Sequence, residues 1–118
     1  MNGINPKQVI EIYNLLRSLG LNMSLKGSKL LNKAIQIMIT CNDEFITSND
    51  IYSLISKEYC HSTPKQIKNH IAYCLNSRIK EKSMKNFKII FGFEYNEYIF
   101  TNKNFIEEIS HILKMQIW

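Results

Sequence analysis

Apolar residues recur along this chain at three- and four-residue intervals, the spacing of one face of an α-helix. Over about Pro6 to Leu19 the stripe is Val9, Ile10, Ile12, Tyr13, Leu15, Leu16 and Leu19. Pro6 suits a first helical turn, and Gly20 is a natural stop. A second helix is predicted over about Ser28 to Cys41. Leu30, Leu31, Ala34, Ile35, Ile37, Met38 and Ile39 make it apolar nearly all round, so it should be the most buried element, ending at Asn42 and Asp43. A third runs from about Ser48 to Tyr59, capped by Ser48 or Asn49, with Ile51, Tyr52, Leu54, Ile55 and Tyr59 on its inner face.

The fourth helix is the most informative. Thr63 is a good N-cap, Pro64 stands at the first helical position, and the helix can extend to about Lys80. At ~100° per residue, Ile67, Ile71, Cys74, Leu75 and Arg78 fall on one side. Lys65, Gln66, Asn69, Tyr73, Asn76 and Lys80 fall on the other, a basic, amide-bearing face without a carboxylate. From Phe87 to Phe100 β-forming residues dominate, and a turn at Gly92 or Asn96 would make a hairpin. A short helix ending at Gly92 competes with it. A last helix spans about Asn102 to Met115, with Phe105, Ile106, Ile109, Ile112 and Leu113 facing in.

At 118 residues, 45% of them hydrophobic, the chain is expected to form one all-α domain over 1–118. It contains no apolar run of membrane-spanning length, and Met1 to Lys7 lacks the pattern of a secretion signal. A cytoplasmic location, with no membrane partner, is the default expectation. Cys41, Cys60 and Cys74 are odd in number and lack C-x-x-C spacing, which fits reduced thiols rather than a disulfide framework.

Charge changes the picture. The net charge is +5, but residues 57–88 carry eight basic and two acidic side chains, so the excess lies in that one segment. Such a segment attracts phosphates. Ile, Lys and Asn supply 45 of the 118 residues, the mark of an AT-rich gene, so the abundance of lysine by itself says less about function. Its placement says more. Two short helices joined through Cys60, His61 and Ser62 read as a helix–turn–helix, whose second helix enters the major groove of DNA with its N-terminal side chains leading. Those are Lys65, Gln66, Lys68 and Asn69, the expected base readers. Amide side chains pair with the adenine edge, and lysine reaches guanine acceptors or phosphates. Ser62 and Thr63 at the helix start, with Lys80, Lys82, Lys85 and Lys88 beyond it, are the expected contacts to the DNA backbone. The bland alternative is a solvated surface helix beside a core.

A family resemblance supports the same reading. Residues 16–35 (LRSLGLNMSLKGSKLLNKAI), 46–59 (ITSNDIYSLISKEY), 62–75 (STPKQIKNHIAYCL), the FG pair at 91–92 and 101–113 (TNKNFIEEISHIL) resemble the C-terminal DNA-binding domain of the stage zero sporulation protein A family. The resemblance covers roughly residues 8–114. It implies a compact six-helix domain with a central helix–turn–helix, in which 87–100 is a short fifth helix plus a loop. It implies sequence-specific double-stranded DNA binding as a transcription regulator in a spore-forming bacterium, often as a homodimer or tandem copies on DNA; RNA polymerase is a separate expected partner. Where the family's recognition helix carries Ser-Arg-Val-Glu-Arg, this chain has Lys65, Gln66, Ile67, Lys68 and Asn69, a change that favours adenine over guanine contacts. With Met1 as the start, no receiver domain precedes it, and a stand-alone effector is expected.

Other chemistries are weaker. Cys60, His61, His70 and Cys74 invite zinc, but adjacent ligands without paired spacing are poor evidence, and no metal or cofactor is expected. No nucleotide-binding or hydrolase motif is present. Glu107 and Glu108 diverge on a helix, Glu94 and Glu97 lie in a loop, and no enzyme is expected. The serious alternative is a protein-interaction module that has lost DNA binding and modulates a related regulator or RNA polymerase. Its surface would be Phe91 to Phe100 with Ile117 and Trp118.

Overall fold

Three strings, N-P-K-Q, T-S-N-D and T-P-K-Q, place Asn or Thr three residues ahead of Gln or Asp. Each starts a helix by a reciprocal capping pair, which satisfies amides that the first helical turn would otherwise leave free. Asn5 pairs with Gln8, Thr47 with Asp50 and Thr63 with Gln66. The computed structural model describes residues 5–41, 45–59 and 61–116. Among them are α1 (Pro6–Ser18), α2 (Lys26–Thr40), α3 (Ser48–Glu58), α4 (Pro64–Asn76), α5 (Lys80–Phe91) and α6 (Asn102–Met115), with one 3₁₀ turn at Glu97–Phe100 and no strand. The all-α, six-helix expectation holds. Asn42 and Asp43, expected to end the second helix, lie outside the described residues, as do Cys60, Ile117 and Trp118.

α2 is the central rod, packed against α1, α3, α4 and α6. Its Leu30, Leu31, Ala34 and Ile35 are buried, meeting Ile12 and Leu16 of α1, Ile51 and Ile55 of α3, Ile67 and Ile71 of α4, and Phe105, Ile106 and Ile109 of α6 in one core. Burying each of the Leu, Ile and Phe side chains stabilises the fold by ~1.5–3 kcal/mol. α2 approaches α4 so closely that a Cβ on Gly27 would stand 2.0 Å from the His70 carbonyl oxygen. Glycine is required there by contact, not by backbone angle.

α5 is fastened to the end of α1. The last carbonyls of a helix lack partners within it. Here Asn86 Nδ2 donates to Ser18 O (2.7 Å), Ser83 Oγ donates to Leu19 O, and the Ile79 amide donates to Gly20 O (2.8 Å). Gly20 has φ +91°, and a Cβ on it would meet the Ile79 carbonyl oxygen at 2.4 Å.

Several sequence expectations need correction. Thr47, not Ser48 or Asn49, caps α3, because only its hydroxyl and amide can exchange bonds with Asp50. Leu54 and Tyr59 are exposed instead of facing the core. α4 ends at Asn76, not near Lys80, since the chain turns there to bring Ile79 against Gly20. The hairpin is absent. Phe87 to Phe91 complete α5, and Gly92, at φ +82°, terminates it. The aromatic residues instead cluster around the Phe87 ring. Phe91 lies 4.4 Å from it, Tyr95 5.2 Å and Phe93 5.5 Å, while Phe100 joins the cluster to Phe105. Arg78 lies over Phe100 at 3.9 Å and donates to Leu75 O and Tyr95 Oη, both at 2.9 Å.

Two outcomes test this packing. Gly27→Ala should lower unfolding free energy by about 3 kcal/mol, because two backbones must separate. Gly92→Ala, whose added methyl meets nothing within 4 Å, should cost only the left-handed backbone penalty of about 1 kcal/mol. Urea titration of both variants compares them. Hydrogen bonds from the Thr47 backbone and hydroxyl hold the Asp50 carboxyl below its ordinary 3.8. Their contribution is complete above that value and is lost as pH falls through the lower folded value. Asp50→Ala should therefore lower stability at neutral pH and flatten its decline in acid, read from unfolding curves at stepped pH.

Candidate nucleic-acid interface

The α4 helix is built to show one face. Thr63 Oγ1 accepts from the Gln66 amide at 3.2 Å, and Pro64 fits the first turn because no partner waits for its missing N–H. Ile67, Ile71, Cys74 and Leu75 are buried, as expected. Burial pushes the Cys74 thiol up to about 11, the state of an inert core thiol. Lys65, Gln66, Lys68, Asn69, His70, Tyr73 and Asn76 are exposed, with no carboxylate among them. Lys65 and Lys68 have no ion-pair partner among the described residues.

The structure treats the expected contact residues unequally. Gln66 is exposed, but its Oε1 accepts from the Thr63 amide at 2.8 Å. A bidentate amide–adenine contact needs that oxygen and the NH₂ together, so Gln66 is a cap first. Asn69 carries no such obligation. Thr63 is exposed, but its hydroxyl is likewise used in the cap. Ser62 is 4% exposed, its hydroxyl accepts from Lys26 Nζ at 3.1 Å, and its carbonyl accepts from Ser56 Oγ at 2.7 Å. These bonds shape the turn before α4.

Lys80 and Lys88 are exposed, and each has an acidic neighbour. Lys80 pairs with Glu97, and Lys88 with Glu94 at 2.8 Å. The Lys80 ammonium holds the Glu97 carboxyl below the usual range, first by hydrogen bonding and then by charge. The two glutamates thus offset two of the cations expected to follow DNA. Lys82 and Lys85 stay exposed on α5, without a carboxylate partner among the described residues.

Tertiary packing adds residues that lie far away in sequence. Lys26 reaches Ser62 from the first residue of α2. Asn102, the first residue of α6, donates from Nδ2 to Lys68 O at 2.9 Å and to Tyr52 Oη at 3.1 Å. The only sequence signal for Lys26 is the glycine after it, which permits the close approach. Among the described residues no group of three His, Cys, Asp or Glu side chains is placed to hold a metal; Cys60 lies outside them. No helix among them is long and apolar enough to cross a membrane.

An all-helical domain that presents one polar, carboxylate-free helix beside a short turn has the form of a DNA-binding domain of a transcription regulator. The family model described as "Sporulation initiation factor Spo0A C terminal" matches residues 12–113, and the chain belongs to that family. The family is one of DNA-binding domains in sporulation control, not of enzymes. Neither curated proteins nor solved structures give a match.

The capping role of Gln66 is open to test. Gln66→Ala should lower unfolding free energy by about 1 kcal/mol, the usual worth of a helix cap, while Lys65→Ala, an exposed first-turn change, should stay within about 0.5 kcal/mol. Thermal or urea unfolding of both variants gives the comparison.

Proposed function

We propose that this domain regulates transcription by binding particular duplex DNA sequences, with α3 and α4 as the helix–turn–helix and α4 in the major groove. The observation that carries this reading is the outward face of α4, whose amides and ammonium groups share the helix with no carboxylate and whose lysines form no ion pair among the described residues. Asn69 reads a base, with adenine its natural partner. Lys65 and Lys68 lie one turn apart and reach guanine acceptors or flanking phosphates. Gln66 keeps its NH₂ for the groove while its oxygen holds the cap. Lys82 and Lys85 contact backbone beyond the C-terminal end of α4. Binding as a homodimer or as tandem copies belongs to this proposal, as does action in the compartment that holds the DNA.

A second surface favours a protein partner in addition. Ile79, Met84, Ile89, Phe93 and Tyr98 are exposed to between 42% and 83%, although Phe91 and Phe100 of the same aromatic region are buried. Exposed apolar groups of this kind suit a partly apolar protein partner, RNA polymerase in this reading.

Selection from a random duplex library at fixed salt tests the main reading. An enriched motif is expected, and Asn69→Ala should relax it at one position, with a loss of ~1–3 kcal/mol for the preferred site. No enrichment, together with unchanged duplex affinity in the variant, would leave the interaction module as the better account.

A further inference from the structure

We propose that Lys26 and Lys103 hold the two sugar–phosphate strands that border the groove, one on each flank of α4. The proposal rests on α4 being the element that enters DNA. Its basis is the way two other helices are seated. Gly27 of α2 lies against the His70 carbonyl, and Asn102 of α6 donates to the Lys68 carbonyl. Residues 68 and 70 are about 200° apart around a helix at 3.6 residues per turn. The starts of α2 and α6 therefore stand on opposite sides of α4. Between them lies the exposed ridge of Lys65, Asn69, Tyr73 and Asn76.

Each flanking helix carries a lysine at this point. Lys26 is the first residue of α2, and Lys103 the second of α6. Both are exposed, and neither has a carboxylate within ion-pair distance among the described residues. A lysine in the first turn of a helix opposes the helix dipole, as Lys7 of α1 also does, and what distinguishes Lys26 and Lys103 is their place beside α4. Neighbouring helices pack about 8–10 Å from the axis of α4, so cations rooted on both of them straddle a groove about 12 Å wide. Lys26 Nζ already lies over the turn that precedes α4, held by Ser62 Oγ. An open groove beside α6 is lined by Lys68, Lys103 and Lys114, with Glu107 the one carboxylate of its lining.

The test is the salt dependence of duplex affinity in the full chain. Each phosphate contact contributes a slope of about −0.9 in log K against log salt. Lys26→Gln and Lys103→Gln should each make the slope shallower by about one unit, and the double variant by about two. The enriched motif should not change. Lys26→Arg should restore the slope, which separates lost charge from a disturbed turn. Lys7→Gln on α1 should leave it unaltered. An unchanged slope in either single variant, or an equal change in Lys7→Gln, would overturn the clamp while leaving Asn69-dependent base preference intact. Absence of duplex binding by the unaltered chain would instead overturn the reading on which the clamp rests.

Discussion

The backbone contact between α2 and α4 at Gly27 organises this molecule. At that point no side chain separates two helices, and the His70 carbonyl occupies the space a Cβ would need. Close approach fixes how α4 lies on the core, and so which of its faces remains outside. It also brings Lys26 to the turn before α4, where its ammonium group meets Ser62. Packing of this kind is short-ranged, so small displacements carry a large cost. An interface borne on α4 inherits that rigidity.

The second fixed relation joins the end of α1 to α5. Three consecutive carbonyls, from Ser18 to Gly20, accept from Asn86, Ser83 and Ile79. A helix terminus that would otherwise need water is thereby sealed by the next-to-last helix. The aromatic cluster around Phe87 and the buried guanidinium of Arg78 fill the other side of α5. Arg78 is thus a packing residue, held over a ring and bonded to the end of α4, and the basic character of this region lies on the lysines alone.

Electrostatics then separates the cations by use. Lys80 and Lys88 are balanced by Glu97 and Glu94, and Lys33 by Glu58. Lys65 and Lys68 have no such partner, and the face that carries them contains only amides, a histidine and a tyrosine beside them. A field from unbalanced charges extends into solvent, while that from a close ion pair falls away quickly. The distribution of acids, more than that of lysines, sets where the positive field reaches into solvent.

Much of this was legible in the order of residues. Helical periodicity and the T-P-K-Q start are local properties, and they placed α1, α4 and α6 within a few residues of their observed ends, together with the buried set Ile67, Ile71, Cys74 and Leu75. The exposed, amide-bearing face of α4 follows from the same periodicity. α5 was obscured because its inner face includes Ser83, a polar residue that is buried only because α1 offers it a carbonyl, while Ile89 is left outside. Lys26, Asn102 and Lys103 gave no sign of belonging beside α4. Their neighbourhood depends on contacts between residues more than thirty positions apart, and only the packing of α2 and α6 around α4 brings them together.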